Sequence, residues 1–333
     1  MEQKSRSISW YRVPVDKQTL KRLHQRSNWK GALQISGHLG LIGLLGTVAW
    51  HFQANFMVLL PVLFLYGTCF AFIMNATHEL HHQSVFQTKF LNGFFLRLLS
   101  FFGWRSYVLF SSSHGAHHKY TLHQPDDLEV VLPAKLTLMT FLRTAFVDVL
   151  GIRDSIWRTL ALSMGKVDTQ WNEYLLDMMA TDKRRDLIHW ARFILLGHAS
   201  IVAVSFYFGL WMIPVLTTFA IFYGQWLRFL CNQTQHAGLA DKVKDFRLCT
   251  RTIILSPPVG FLYWHMNYHI EHHMYPAVPC YNLRKLHAAI RHELPESPRG
   301  LLTAWRQIIA TVKRQAVEPD YHFIPTLPTT ING

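Results

Sequence analysis

Four stretches of the chain are almost continuously apolar: Gly31 to Trp50, Phe56 to Ala76, Ile188 to Leu210 and Trp211 to Leu230. A helix crosses the hydrocarbon core of a bilayer with about 20 such residues. The first two stretches are joined by His51 to Asn55 and the last two meet at a corner, and neither link holds Lys or Arg. The pattern therefore predicts two tight transmembrane hairpins, four spanning helices in all, in an all-α integral membrane protein. Phe90 to Trp104 is shorter and is read as a helix lying in the membrane interface. Ile253 to Trp264 contains Pro257 and Pro258, so one straight helix is not expected there.

Charge gives the hairpins a direction. The first thirty residues carry Lys4, Arg6, Arg12, Lys17, Lys21, Arg22, Arg26 and Lys30. Positive flanks stay in the cytoplasm, and a polar start of this kind does not read as a signal peptide. The expected organisation is a basic cytoplasmic arm (1–30), a first hairpin (31–76), a cytoplasmic region (77–187), a second hairpin (188–231), a second cytoplasmic region (232–317) and a polar tail (318–333). The two regions would form a cytoplasmic helical cap. Composition agrees: 50% of residues are hydrophobic and only 16% charged, against about 25% charged in soluble domains. The net charge of +13 is explained by membrane flanks, and the chain has no nucleic-acid-binding signature. Cys69, Cys231, Cys249 and Cys280 form no C-x-x-C pair and read as free thiols.

The 20 histidines change the picture most. Three clusters share the spacing H-x-x-H-H: His78-Glu79-Leu80-His81-His82, His114-Gly115-Ala116-His117-His118 and His269-Ile270-Glu271-His272-His273. Chance at this His content gives about 0.07 such windows, so the spacing is not accidental. Residues three and four apart share a helix face, so each cluster can aim two or three imidazoles at one point. Imidazole suits iron, zinc and copper. All three clusters fall on the expected cytoplasmic side. Asn232 and His236, four apart where the fourth stretch ends, add a further candidate ligand. His38 and His198 lie in apolar helices and are expected to bond locally. His123 and His265 are candidates for orienting ligands, and isolated histidines such as His287 read as surface residues.

These boxes, their order around two hairpins and their flanks resemble the membrane fatty acid desaturase and hydroxylase superfamily, over about Gly31 to Leu294. Asn267 to Pro276 (NYHIEHHMYP) looks like the third box of sphingolipid and fatty acid desaturases, and Ala76-Thr77 followed by HELHH is similar to their first box. The resemblance implies two iron ions held by His78, His82, His114, His117, His118, His236, His269, His272 and His273. It leaves His81 outside the ligand set and has Asn232 act through water. It implies an O2-dependent enzyme that introduces a C=C bond into a fatty-acyl or lipid chain. The linker Tyr120 to Pro133 departs from an acyl-CoA-binding pattern.

An all-imidazole site leaves most of the metal charge uncompensated and points to oxidation of an unactivated carbon, with the protein supplying geometry and dryness. Carboxylates near the boxes, Glu79, Glu271, Asp126, Asp127 and Glu129, are expected to orient ligands rather than react, Glu271 and Asp126 among them, and His81 is a further candidate for that outer role. The chain has no haem, iron–sulfur or flavin motif. Its electrons are therefore expected from a separate donor, a ferredoxin or a small haem cytochrome with its reductase, drawn to the basic face. Rival readings are a hydroxylase or a desaturase of a small metabolite, a metal transporter, and a zinc hydrolase built on H-E-x-x-H. Transport sites lie near the bilayer midplane, where these boxes are not expected, and a hydrolase leaves two of the three boxes unused.

Overall fold

The computed structural model describes residues 7–328. Lys4 and Arg6 of the basic arm, and the end of the polar tail from 329, lie outside the described residues. The described chain is all-helical, and its only β contacts are isolated bridges such as Thr252 with Tyr268. A short helix α1 (Lys17–Leu23) precedes α2 (Asn28–His51), α3 (Phe56–Ala71) and α4 (Ile73–His81). Next come α5 (Lys89–Phe102), α6 (Tyr107–Tyr120), α7 (Leu138–Ala145), α8 (Val149–Ser163), α9 (Gln170–Asp177) and α10 (Thr181–Tyr207). The remainder is shorter: α11 (Met212–Leu216), α12 (Trp226–Gln233), α13 (Phe246–Cys249), α14 (Pro257–Leu262), α15 (His269–Met274), α16 (Cys280–Ile290) and α17 (Gly300–Gln315).

Three helical segments are long and apolar enough to cross a membrane: Asn28–His51, Phe56–His81 and Thr181–Tyr207. At 1.5 Å per residue the shortest measures about 36 Å, enough for a core of about 30 Å. Their outward faces suit lipid: Leu44, Met57, Leu60, Phe193 and Leu196 are all exposed. The ends of α2 and α10 and the turns after them expose Phe52 and Phe208 together with Trp50, Tyr207 and Trp211, and Trp and Tyr are the amphipathic aromatics that favour a membrane–water boundary.

The fourth predicted span is not one helix. Residues 211–230 break into α11, a single 3-10 turn at Ala220–Phe222, and α12. The reason is a close crossing. Residues 222–224 pair with 146–148 through Asp148 N to Phe222 O at 2.7 Å and Gly224 N to Phe146 O at 2.9 Å. They also run hard against α3. Gly224 has φ +68, and a Cβ there would stand 2.6 Å from Phe64 O, while one on Gly67 of α3 would stand 2.4 Å from the Tyr223 ring. Hydropathy alone registers none of this. Irregular backbone at membrane depth is tolerated where protein buries it, and Ala220, Ile221 and Phe222 are buried.

One apolar cluster joins α2, α3, α4 and α5 through Ile35, Tyr66, Phe70, Ile73 and Leu96. A second gathers Val13, Leu23, Leu122, Phe246, Ile270, Met274 and Leu286 around α15. The N-terminal arm thus packs rather than dangles: Trp10 stacks on Phe246 at 4.2 Å, and Tyr275 OH donates to Val13 O at 2.6 Å. α5 is 14 residues long, too short to span, with Phe90 and Phe94 exposed and Leu96 and Leu99 buried. Pro257 and Pro258 open α14, which is only six residues long. The four cysteines are free and buried.

Candidate metal centre

Four pieces of chain deliver the histidines. α4 continues the second membrane-length segment and ends at His81, so His78 and His82 stand at its tip. α6 carries His114, His117 and His118 on its last two turns. α15 carries His269, His272 and His273. His236 follows α12 after a turn in which Gln235 N bonds to Asn232 O at 3.1 Å.

These nine imidazoles form two groups. His78, His82, His114, His118 and His272 make one; His117, His236, His269 and His273 make the other. Within each group the ligand-capable atoms lie within 4.8 Å of one another. The groups adjoin: the His118 and His273 rings have centroids 4.5 Å apart. His81 packs on Phe110 at 5.7 Å and joins neither group.

Outer contacts fix which nitrogen faces inward. His114 Nδ1 donates to Glu129 at 2.9 Å, His117 Nδ1 to Asp127 at 2.8 Å, and His236 Nδ1 to the carbonyl of Cys249 at 2.9 Å. Carboxylates and carbonyls only accept, so these nitrogens carry the proton and each Nε2 points its lone pair inward. His269 Nε2 lies 3.1 Å from both His236 Nε2 and His273 Nε2. One proton cannot serve both neighbours, whereas a cation satisfies all three. The donor set therefore fits a metal, and an all-nitrogen set suits iron, zinc or copper.

Two of the carboxylates expected to orient ligands, Glu271 and Asp126, make no direct hydrogen bond to the nine imidazoles. Glu271 is fully buried but meets none of the nine: it accepts from Thr252 Oγ1 at 2.5 Å and bonds His287 Nδ1. Box spacing turns its side chain to the side away from the cluster. Among the described residues Asp126 bonds no histidine; the next acid does. Asp127 is fully buried and also caps Leu122 N at 2.7 Å and Glu129 N at 2.9 Å. Within the first box Glu79 bonds His78 Nδ1 at 3.2 Å and approaches His272 Nδ1 at 3.6 Å. His287, read from sequence as a surface residue, is Glu271's half-buried partner. His123 bonds only backbone carbonyls. His38 and His198 bond away from the cluster, but across segments and not locally: His38 to Cys69 O and the Trp264 ring N–H, His198 to Thr218 Oγ1 and Phe101 O. Asn232 Oδ1 accepts from Asn75 at 3.3 Å and shares a cavity wall with His236.

Burial first, and then the neighbouring imidazoles, push His114, His118, His269 and His273 far below the ordinary histidine range. His236 and His272 fall to about 3, again mainly through burial. Burial is the largest single influence on His117 and opposes its charge, but the Asp127 hydrogen bond together with the negative charges of Asp127 and Glu129 outweighs it, and the net shift is upward. The depressed groups stay neutral in the fold while the unfolded chain protonates them near pH 6.5. The unfolded state then holds more protons, so stability is lost as pH falls below that value, by about 1.4 kcal/mol per pH unit for each proton. Chelator-treated protein should show a falling thermal midpoint from about pH 7 to about pH 5.5. A flat midpoint would mean that these imidazoles are not buried neutral.

The family model "Fatty acid desaturase" matches residues 54–305, a span holding all nine imidazoles. The chain belongs to the fatty acid desaturase family. A curated relative, the sn-1 oleoyl-lipid 12-desaturase of a Picosynechococcus strain, is 25% identical, with 79% of this chain and 76% of that protein covered. Membership makes this desaturase an oxidoreductase associated with membranes and lipid, which agrees with its three membrane-length helices and exposed apolar faces.

Proposed function

We propose that this desaturase is a di-iron enzyme that uses O2 to introduce a C=C bond into a fatty-acyl or lipid chain. His78, His82, His114, His118 and His272 hold one iron, and His117, His236, His269 and His273 the other. The observation that carries the reading is the convergence of nine buried imidazoles in two adjoining all-nitrogen groups. Iron bound there would supply the oxidising power to take hydrogen from an unactivated carbon. The protein's own part is positional. Glu129, Asp127 and the Cys249 carbonyl hold protons on Nδ1 and so aim Nε2 inward. Phe110, stacked on His114, and Phe246, against His273, help keep water out. Asn232 faces the cavity beside His236 and is placed to hold a water there.

Removing two hydrogens while reducing O2 to two waters takes two further electrons and two protons. A separate donor, a ferredoxin or a small haem cytochrome with its reductase, supplies them. Such a donor, if acidic, would be steered by the basic residues Arg22, Arg26, Arg284, Lys285 and Arg291 on the box side. That basic side also supports a cytoplasmic location for both termini and the boxes. The boxes share one cluster, so a chain that leaves through Thr181–Tyr207 has to come back before His236. The broken segment Met212–Gln233 is then the fourth crossing. Purified protein given an acyl lipid, oxygen and a reductant should yield a product two hydrogens lighter. A hydroxylated product would move the reading to the hydroxylase branch, and no oxidised product from iron-loaded protein would end it.

A further inference from the structure

Two cavities adjoin, the inner of them beside His236. The inner one, about 350 Å3, touches Glu129, Asn232 and His236. The outer one, about 580 Å3, lies between α7, α12 and α17 and is walled by Phe141, Leu230, Trp305, Ile309 and Val312. Leu136 and Phe229 belong to both. The Phe229 ring sits between Phe141, at 5.5 Å, and Trp305, at 6.4 Å. Trp305 is itself anchored by its ring N–H to Leu230 O at 3.0 Å. Phe229 and Leu136 are therefore the wall that the two spaces share.

The outer cavity opens on an unusual rim. Leu138 and Met139 of α7 are 72% and 74% exposed, and Leu302 of α17 is 66% exposed. Large apolar side chains this exposed, on two helices that wall one cavity, are what contact with a membrane or a partner would cover. Lys313 is the one charge on the cavity's lining, and at a helix end a lysine can lay its stem along lipid with its ammonium in the headgroup layer. A water-soluble acyl thioester would need polar groups for its large head at this mouth, and the lining does not offer them.

We propose that the space between α7, α12 and α17 is a lateral portal through which the acyl chain of a bilayer lipid reaches the histidines, with Phe229 and Leu136 as its gate. The proposal rests on the reading of the site as a desaturase and narrows its substrate to an acyl chain still attached to a membrane lipid. The occupant follows from continuity: apolar rim, apolar cavity, shared gate, then the cavity touching His236.

The test uses full-length protein in lipid nanodiscs holding a phosphatidylcholine with a mid-chain diazirine. After photolysis, labels are mapped by mass spectrometry. Wild type should be labelled on α7, α12 and α17. Val312→Trp, which fills the outer cavity, should lower that label and lipid turnover by about tenfold, with iron content unchanged because Val312 lines the outer cavity and not the inner one that touches His236. Leu44→Trp, on the lipid-facing side of α2, should change neither. Labels confined to α2 and α10, or labels on α7 and α17 that Val312→Trp leaves intact, would overturn the portal. Portal labelling in iron-loaded wild type that oxidises no lipid would instead sink the desaturase reading, so the two failures are distinguishable.

Discussion

His269→Ala protein, purified from membranes, is expected to hold about half the metal of wild type or less, and its turnover is expected to fall by more than about 100-fold. His269 is the hinge of the four-imidazole group: its Nε2 lies 3.1 Å from both His236 Nε2 and His273 Nε2. Removing it leaves three ligands from three separate segments. Losing even a partner that only orients a ligand costs about 10–100-fold in metal affinity or activity, and His269 is placed to bind directly. The variant also separates metal loss from misfolding. His269 Nδ1 is buried without a partner, a group that costs about 1–3 kcal/mol in the fold. Deleting it offsets much of the cavity that alanine leaves. Metal-free wild type and metal-free variant should therefore unfold within about 1 kcal/mol of each other, while the metal-loaded proteins differ widely. Plasma emission spectrometry for iron, with thermal unfolding before and after chelation, reads both. Full iron in the variant would remove His269 from the centre, and equal losses in both forms would make it a structural residue.

How much of this was legible in the sequence follows from what each interaction depends on. Box spacing is local: residues three and four apart on a helix face one way, so His114, His117 and His118 could be grouped without a structure, and likewise His269, His272 and His273. Both triplets are intact on α6 and α15. His236, a single histidine, is legible from its place at the expected membrane boundary, its spacing of four from Asn232 and the family resemblance, and not from a box. The break within the fourth apolar stretch is hidden from the sequence because hydropathy reports what a residue would gain from leaving water, not whether lipid or protein receives it. Residues 220–222 are buried against their own chain, and the crossing at Gly67 and Gly224 is a tertiary contact between segments some 150 positions apart. Which carboxylates reach the histidines is hidden for a similar reason. The loop after α6 has no period, so nothing in the order Asp126, Asp127, Glu129 reveals which side chains turn inward. Asp127 does so because its two oxygens close the loop on Leu122 N and Glu129 N. Glu271's partner His287 lies sixteen residues on, across a helix junction, and no spacing rule connects them.

Those two adjacent acids carry opposite expectations. Asp127→Asn should cost about 2 kcal/mol of stability and about 10–100-fold in metal affinity, whereas Asp126→Asn should stay within about 0.5 kcal/mol of wild type and keep its metal. Asp127 receives three donors: His117 Nδ1 and Leu122 N on one oxygen, Glu129 N on the other. Asparagine has one oxygen. If that oxygen keeps His117 and Leu122, the amide NH2 faces the Glu129 N–H and leaves a partly buried donor unpaired. If it takes Glu129 instead, the NH2 confronts two donors, and His117 must surrender its Nδ1 proton and present a protonated Nε2 to the metal. Even the better arrangement replaces a charge-assisted bond with a neutral one, roughly half as strong. The expected readout is weaker iron retention against a chelator series for Asp127→Asn, with the Asp126→Asn titration lying on that of wild type. Equal losses from both substitutions would mean that the acidity of the loop as a whole, and not the bond to His117, is what holds the metal.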